Sequence, residues 1–171
     1  MPNAITPQAL EDLDLPELNR RLSLNHAGSI QPNEARDACE VFVDDIGPCV
    51  LYCEVVEGRA MKFGTAGSLR DRQRLNRGTI NKILACQDGR YHGTNKKILD
   101  ASTYDKYKRQ APAVIRRGRR IELFAVSLAS HASCLNPSKK ANAQCSACKS
   151  VESALNKHYK TLEHGWATRE N

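Results

Sequence analysis

The chain has 171 residues, 40% of them hydrophobic and 26% charged, with a net charge of +7. That length suits one domain able to bury a real core. No apolar run approaches the roughly 20 residues of a membrane span, and the opening Met-Pro-Asn-Ala lacks the basic-then-apolar pattern of a secretion signal. The expectation is a soluble, cytoplasmic protein with no membrane partner.

Seven cysteines form an odd set, and without a secretion signal they read as reduced thiols, metal ligands or core fillers. The charge is unevenly spread. Residues 1–58 carry 11 acids against 3 bases, residues 59–120 carry 17 bases against 4 acids, and residues 121–171 carry 6 bases against 4 acids. A basic excess concentrated in one third of the chain is the footprint of a polyphosphate partner. A solvated basic face is the plainer alternative.

Residues 1–46 read as a peripheral helical segment. Thr6-Pro7, Glu11 and Asp12 suit a helix start, and Leu10, Leu13, Leu15, Leu18, Leu22 and Leu24 supply apolar faces. Asp44-Asp45-Ile46-Gly47-Pro48 then reads as a turn rather than a metal site.

The stretch from Val50 to Arg74 carries the most information. Two β-favouring runs flank Glu57-Gly58-Arg59, where Gly58 can take the positive φ of a tight turn, so a β-hairpin is expected. Tyr52 and Lys62 are expected to face each other across its ladder. Gly64-Thr65-Ala66-Gly67 is expected to form a turn, and Ser68 to cap a helix carrying Arg70, Arg72 and Arg74. A phenol, an amine and a guanidinium converge there, which is equipment for handling a phosphate. The helix runs from about Ser68 to Cys86 with Leu69, Ile80, Ile83 and Leu84 inward, and Arg77-Gly78-Thr79 is a point where it can kink. Asn76, one turn beyond Arg72, is a candidate phosphate contact.

Residues 87–118 exceed a simple helix-to-strand connection. A glycine-bearing polar loop precedes a helical pattern over Lys96–Arg109. Arg90, Tyr91, His92, Asn95, Lys96 and Lys97 make this insertion a candidate for DNA readout, since arginine and asparagine can reach base edges while lysine holds phosphate. A surface elaboration contacting only backbone fits equally. Arg116, Arg117, Arg119 and Arg120 form a basic turn suited to gripping a DNA backbone. The run Ile121–Leu128 is the clearest core strand, expected to pair with the hairpin in a three-stranded sheet.

His131, Cys134, Cys145 and Cys148 have the form HxxC…CxxC. Two short pairs can clasp a structural zinc, and a loop with scattered thiols fits the same residues. A last helix is expected from about Cys148 to Glu163, with Val151, Ala154, Leu155 and Tyr159 as its apolar stripe and Glu152 beside it. His158 and His164 have no evident partners there, and Trp166 reads as packing.

Taken together these motifs resemble the GIY-YIG nuclease superfamily. Val50-Leu51-Tyr52 represents its first element and Lys62-Phe63-Gly64 its second. Lysine replaces tyrosine there, as in the restriction-enzyme and phage-type branches. Arg72 falls ten residues after Lys62, with Leu69 three residues before it, and Val151-Glu152-Ser153-Ala154-Leu155 fits the late helix that carries the superfamily's metal-binding glutamate. The likeness covers about Gly47 to Arg77 closely and the surroundings of Glu152 loosely.

What the resemblance implies is an α/β (α+β) domain over residues 47–171, with a small three-stranded sheet and flanking helices, following the helical segment 1–46. It implies a DNA endonuclease, plausibly a Type II restriction enzyme, working on double-stranded DNA as a homodimer. Glu152 would hold a magnesium or manganese ion. Arg72, aided by Arg70 or Arg74, would hold the phosphate oxygens, and Tyr52 or Lys62 would be the general base. Thr65 stands where some lysine-type relatives carry histidine. Two other readings stay open: an inactive nucleic-acid-binding module, and a nuclease of repair or mobile elements that acts on DNA structure.

Overall fold

The hairpin expected around Glu57-Gly58 forms, and both turn residues have positive φ (52° and 78°). This is the two-residue turn whose twist matches the flanking strands. The computed structural model describes residues 20, 23–85, 106–127 and 146–167, with side chains in the last stretch from residue 152 onward. Its elements are β1 (Asn25–Pro32), β2 (Cys39–Val43), β3 (Val50–Val56), β4 (Arg59–Ala66), α1 (Leu69–Leu84), α2 (Lys106–Arg116), β5 (Ile121–Ser127), α3 (Ser146–His158) and the single turn α4 (Thr161–His164).

The three expected strands are present, with β5 antiparallel to β3. They belong to a larger mixed α+β fold, whose antiparallel sheet has five strands in the order β2-β1-β5-β3-β4. The two extra strands correct the helical expectation for residues 25–43. Those residues pair edge to edge with β5 and with each other, and the leucine spacing that suggested helices lies almost entirely N-terminal to them. No described helix is long and apolar enough to cross a membrane.

Turn and bulge set the hairpin register. The pairs Val56↔Arg59 and Val55↔Ala60 follow from the tight turn. A bulge at Met61 then shifts the ladder, so that Glu54 pairs with Lys62 and Tyr52 with Gly64. The expected Tyr52–Lys62 pairing is therefore replaced. One extra residue on β4 moves each of its side chains one place along β3.

Ser68 caps α1 as expected, its hydroxyl accepting from the Asp71 N–H at 3.3 Å. The helix runs unbroken through Gly78 and buries Leu69, Gln73, Ile80, Ile83 and Leu84. Its apolar side joins Ile30, Ala111, Val114, Ile115, Ile121 and Trp166 in one core cluster. Each such aliphatic side chain stabilises the fold by roughly 1.5–3 kcal/mol through burial.

Both edge strands are closed by asparagines. Asn81 of α1 receives the Cys39 N–H at 2.8 Å and donates to the Cys39 carbonyl at 3.2 Å. Asn156 of α3 does the same for Phe63 of β4, at 2.9 Å in both directions. Each amide substitutes for the missing neighbouring strand, which satisfies the edge and blocks further pairing there. The Asn156 clamp also fixes α3 against the strand that carries Lys62 and Thr65. Beyond it, the Trp166 N–H donates to the Met61 carbonyl at 2.9 Å, so the chain after α4 is tied to the same edge.

Candidate active site

Alternation along β3 puts Tyr52 and Glu54 on one face, opposite Gly64 and Lys62. The absent side chain at Gly64 makes room for the tyrosine ring. A Cβ there would stand 2.4 Å from Tyr52 Cζ and 2.5 Å from its Oη. Tyr52 is 1% exposed. Burial pushes its phenol pKa well above the usual range, Glu54 raises it further, Arg72 opposes the rise and Glu152 adds to it.

Arg72 and Glu152 thus act on Tyr52, and Arg72 and Lys62 act on Glu54, its neighbour on the same face of β3. Arg72 projects from the second turn of α1 and is exposed, and it acts on both Tyr52 and Glu54. Glu152 comes from α3 and is half-buried. Thr65 Oγ1 donates to Glu152 Oε2 at 2.8 Å, fixing how the carboxylate is turned. Lys62, half-buried on β4, approaches from the Glu54 side. Tyr52, Lys62, Arg72 and Glu152, four residues spread over a hundred positions, thus line one neighbourhood.

Glu54 is a residue that sequence reasoning missed. It is fully buried, accepting from Trp166 Nε1 at 2.5 Å on Oε2 and from Asn76 Nδ2 at 3.4 Å on Oε1. Burial raises its pKa, while Lys62, Trp166, Gln73 and Arg72 lower it. The signal was a lone charge in the apolar run Val50–Val56. Asn156 gave no comparable signal, since its role depends on a strand 93 residues away. Thr65, noted only for not being histidine, is the donor that orients Glu152.

The basic residues divide. At 100° per residue, Arg70, Arg74 and Arg77 share one flank of α1, and all are exposed. Arg72 lies on the other flank, across the buried stripe that Asn76 joins, so the helical period separates Arg70 and Arg74 from Arg72. Asn76 is turned inward. Its amide donates to Glu54 at 3.4 Å and to Gln73 Oε1 at 3.1 Å, so in this structure its donors are turned towards the core. Arg116, Arg117, Arg119 and Arg120 sit exposed at the α2–β5 turn. Arg119 Nε pairs with Glu57 at 3.0 Å. This places the cluster at the hairpin tip, roughly five residues or 16 Å along β3 from Tyr52.

Arg90, Tyr91, His92, Asn95, Lys96, Lys97, His131, Cys134 and Cys145 lie outside the described residues. Cys148 lies on the α3 backbone, its side chain likewise outside them. Among the described residues no three His, Cys, Asp or Glu side chains gather as a metal cluster. Glu152 with its Thr65 partner offers hard oxygen donors. That suits a magnesium-type ion, which keeps most of its waters and needs only one or two carboxylates.

No family model and no curated protein matches the chain. Solved structures do match. A mutant form of bacteriophage T4 EndoII aligns with a TM-score of 0.57 at 12% identity, over 91% of this chain and 98% of that one. Restriction endonuclease HPY188I in complex with product DNA aligns with a TM-score of 0.47 at 11% identity, over 96% of this chain and 88% of that one. The five-stranded sheet and its helices are thus similar, over nearly their whole length, to the fold of EndoII.

Proposed function

We propose that this chain is a divalent-metal-dependent DNA endonuclease that hydrolyses phosphodiester bonds, a sequence-specific enzyme of the Type II restriction class. The observation that carries the reading is the convergence of Tyr52, Arg72 and Glu152, with Lys62 beside them, on the β3–β4 hairpin. The fold-level likeness to EndoII and the basic excess of residues 59–120 support it.

Arg72 stands at the surface and presents a planar fork to the non-bridging oxygens of the scissile phosphate. Lys62, the ladder partner of Glu54, supplies a second positive charge. Glu152, held by Thr65, would carry the magnesium or manganese ion, which when bound supplies charge neutralisation at the phosphate and offsets the carboxylate that opposes ionisation of Tyr52. Tyr52 accepts the proton of the attacking water once its own proton is lost. In the free protein burial and two carboxylates hold that proton in place, so cleavage should quicken with rising pH. Arg70, Arg74 and Arg77, together with the cluster Arg116–Arg120, extend the positive surface along the duplex. Cutting both strands with one site per chain calls for two copies on the DNA. Incubating the protein with long DNA, with and without divalent metal, tests the reading, and intact DNA in every metal would reject it in favour of a binding module.

A further inference from the structure

Glu54 sits in an interior position where a carboxylate is costly. An unpaired ionised carboxylate taken out of water loses several kcal/mol even after relaxation, and every other residue of β3 is apolar apart from Tyr52 and Cys53. The surroundings of Glu54 are nevertheless built for the charged form. Trp166 Nε1 can only donate, and it donates to Oε2, while Asn76 Nδ2 donates to Oε1. Two acceptor oxygens are what an ionised carboxylate offers. Trp166 is itself held by its backbone bond to Met61 and by an edge contact with Tyr107, at 5.5 Å between rings.

Among the described residues, the groups within electrostatic reach of Glu54 come from several elements. Lys62 comes from β4, Arg72, Gln73 and Asn76 from α1, Tyr107 from α2, Tyr52 and Cys53 from β3, and Trp166 from the segment after α4. Lys62 and Arg72 are the cations among these described groups. Without a counter-charge, two cations meeting at one site push each other towards deprotonation. Lys62 is the one that could yield, because a guanidinium does not.

We infer that Glu54 is a positioning residue: a buried counter-charge, pinned by Trp166 and Asn76, that holds its ladder partner Lys62 as a cation over the site. Lys62 then meets the phosphate as a fixed positive charge, and of the two open candidates for the base Tyr52 remains. The consequence for DNA rests on the nuclease reading above. The charge relationship itself does not.

The experiment is an NMR titration of the Lys62 ε-carbon in the full chain with labelled lysine, for the parent protein and for Glu54→Gln. The expected result is a lower titration midpoint in the variant, and equal midpoints overturn the inference. Metal-dependent cleavage by Lys62→Arg and Lys62→Gln provides a second test that does not depend on the folding of Glu54→Gln. The arginine variant should stay within about tenfold of the parent, and the glutamine variant should lose about 10²–10³-fold in kcat. Arginine as damaging as glutamine identifies Lys62 as the base and overturns the inference. If the parent protein cleaves no DNA, the nuclease reading fails, and the titration still decides the role of Glu54.

Discussion

The ring of Tyr52 lies directly over Gly64, in the space that a side chain at that position would occupy. Glycine in the second motif therefore does packing work, letting the phenol cross the ladder towards Arg72 and Glu152. Gly64→Ala forces the ring aside. We predict a loss of about 1–3 kcal/mol in a urea titration, together with loss of cleavage beyond what the remaining folded fraction explains. A variant cleaving like the parent would mean that the ring position is unimportant.

Glu152→Ala should abolish cleavage while DNA binding survives, since it removes one carboxylate and no basic group. Thr65→Val removes the hydroxyl that donates to Glu152. Losing such a support typically costs about 10–100-fold in metal affinity or activity. Cleavage measured against magnesium concentration should show the valine variant needing more metal, and an unchanged titration would count against this role for Glu152.

The raised pKa of Glu54 makes stability depend on pH with a definite sign. Its folded pKa lies above the unfolded value, so its contribution to stability is greatest below the unfolded pKa and declines as pH rises through the folded one. Glu54→Gln lacks this decline. The stability of the variant relative to the parent should therefore grow from pH 4.5 upward in thermal melts at matched ionic strength. A constant difference would show that Glu54 ionises as easily in the fold as outside it. Gain of stability with loss of activity is the pattern expected of a charge retained for function.

Asn156→Ala should destabilise the fold by on the order of 2 kcal/mol, because it leaves the Phe63 N–H and C=O unpaired in a buried place. It also loosens α3, and so Glu152, from β4. Cleavage should fall more than DNA binding, and equal losses in both would point to global unfolding instead.

The two flanks of α1 should separate in solution. Arg74→Ala should weaken binding to all sequences alike and lower the salt dependence of binding by about one phosphate contact. Arg72→Ala should reduce cleavage far more than binding. Identical behaviour would contradict the division of the helix that its period imposes.

Much of this arrangement was legible in the sequence. The turn at Glu57-Gly58, the Ser68 cap, the inward face of α1 and the strand from Ile121 all follow local rules, and the structure keeps them. The bulge at Met61 obeys no local signal, and it moved Lys62 from Cys53, where the turn alone would set it, to Glu54. Strands β1 and β2 pair with each other across residues 33–38, but the contacts that fix them in the sheet are distant in sequence. β1 pairs with β5 nearly a hundred residues away, and β2 is held by Asn81. Glu54 was visible as a misplaced charge, but its meaning needed Trp166, 112 residues later.

The most direct measurement is cleavage of a long DNA of known sequence by the purified chain, with magnesium and with chelator, beside Glu152→Ala. The account predicts discrete fragments only with metal and only from the parent protein, with both proteins binding the DNA. Cleavage that persists in chelator or in Glu152→Ala would contradict it.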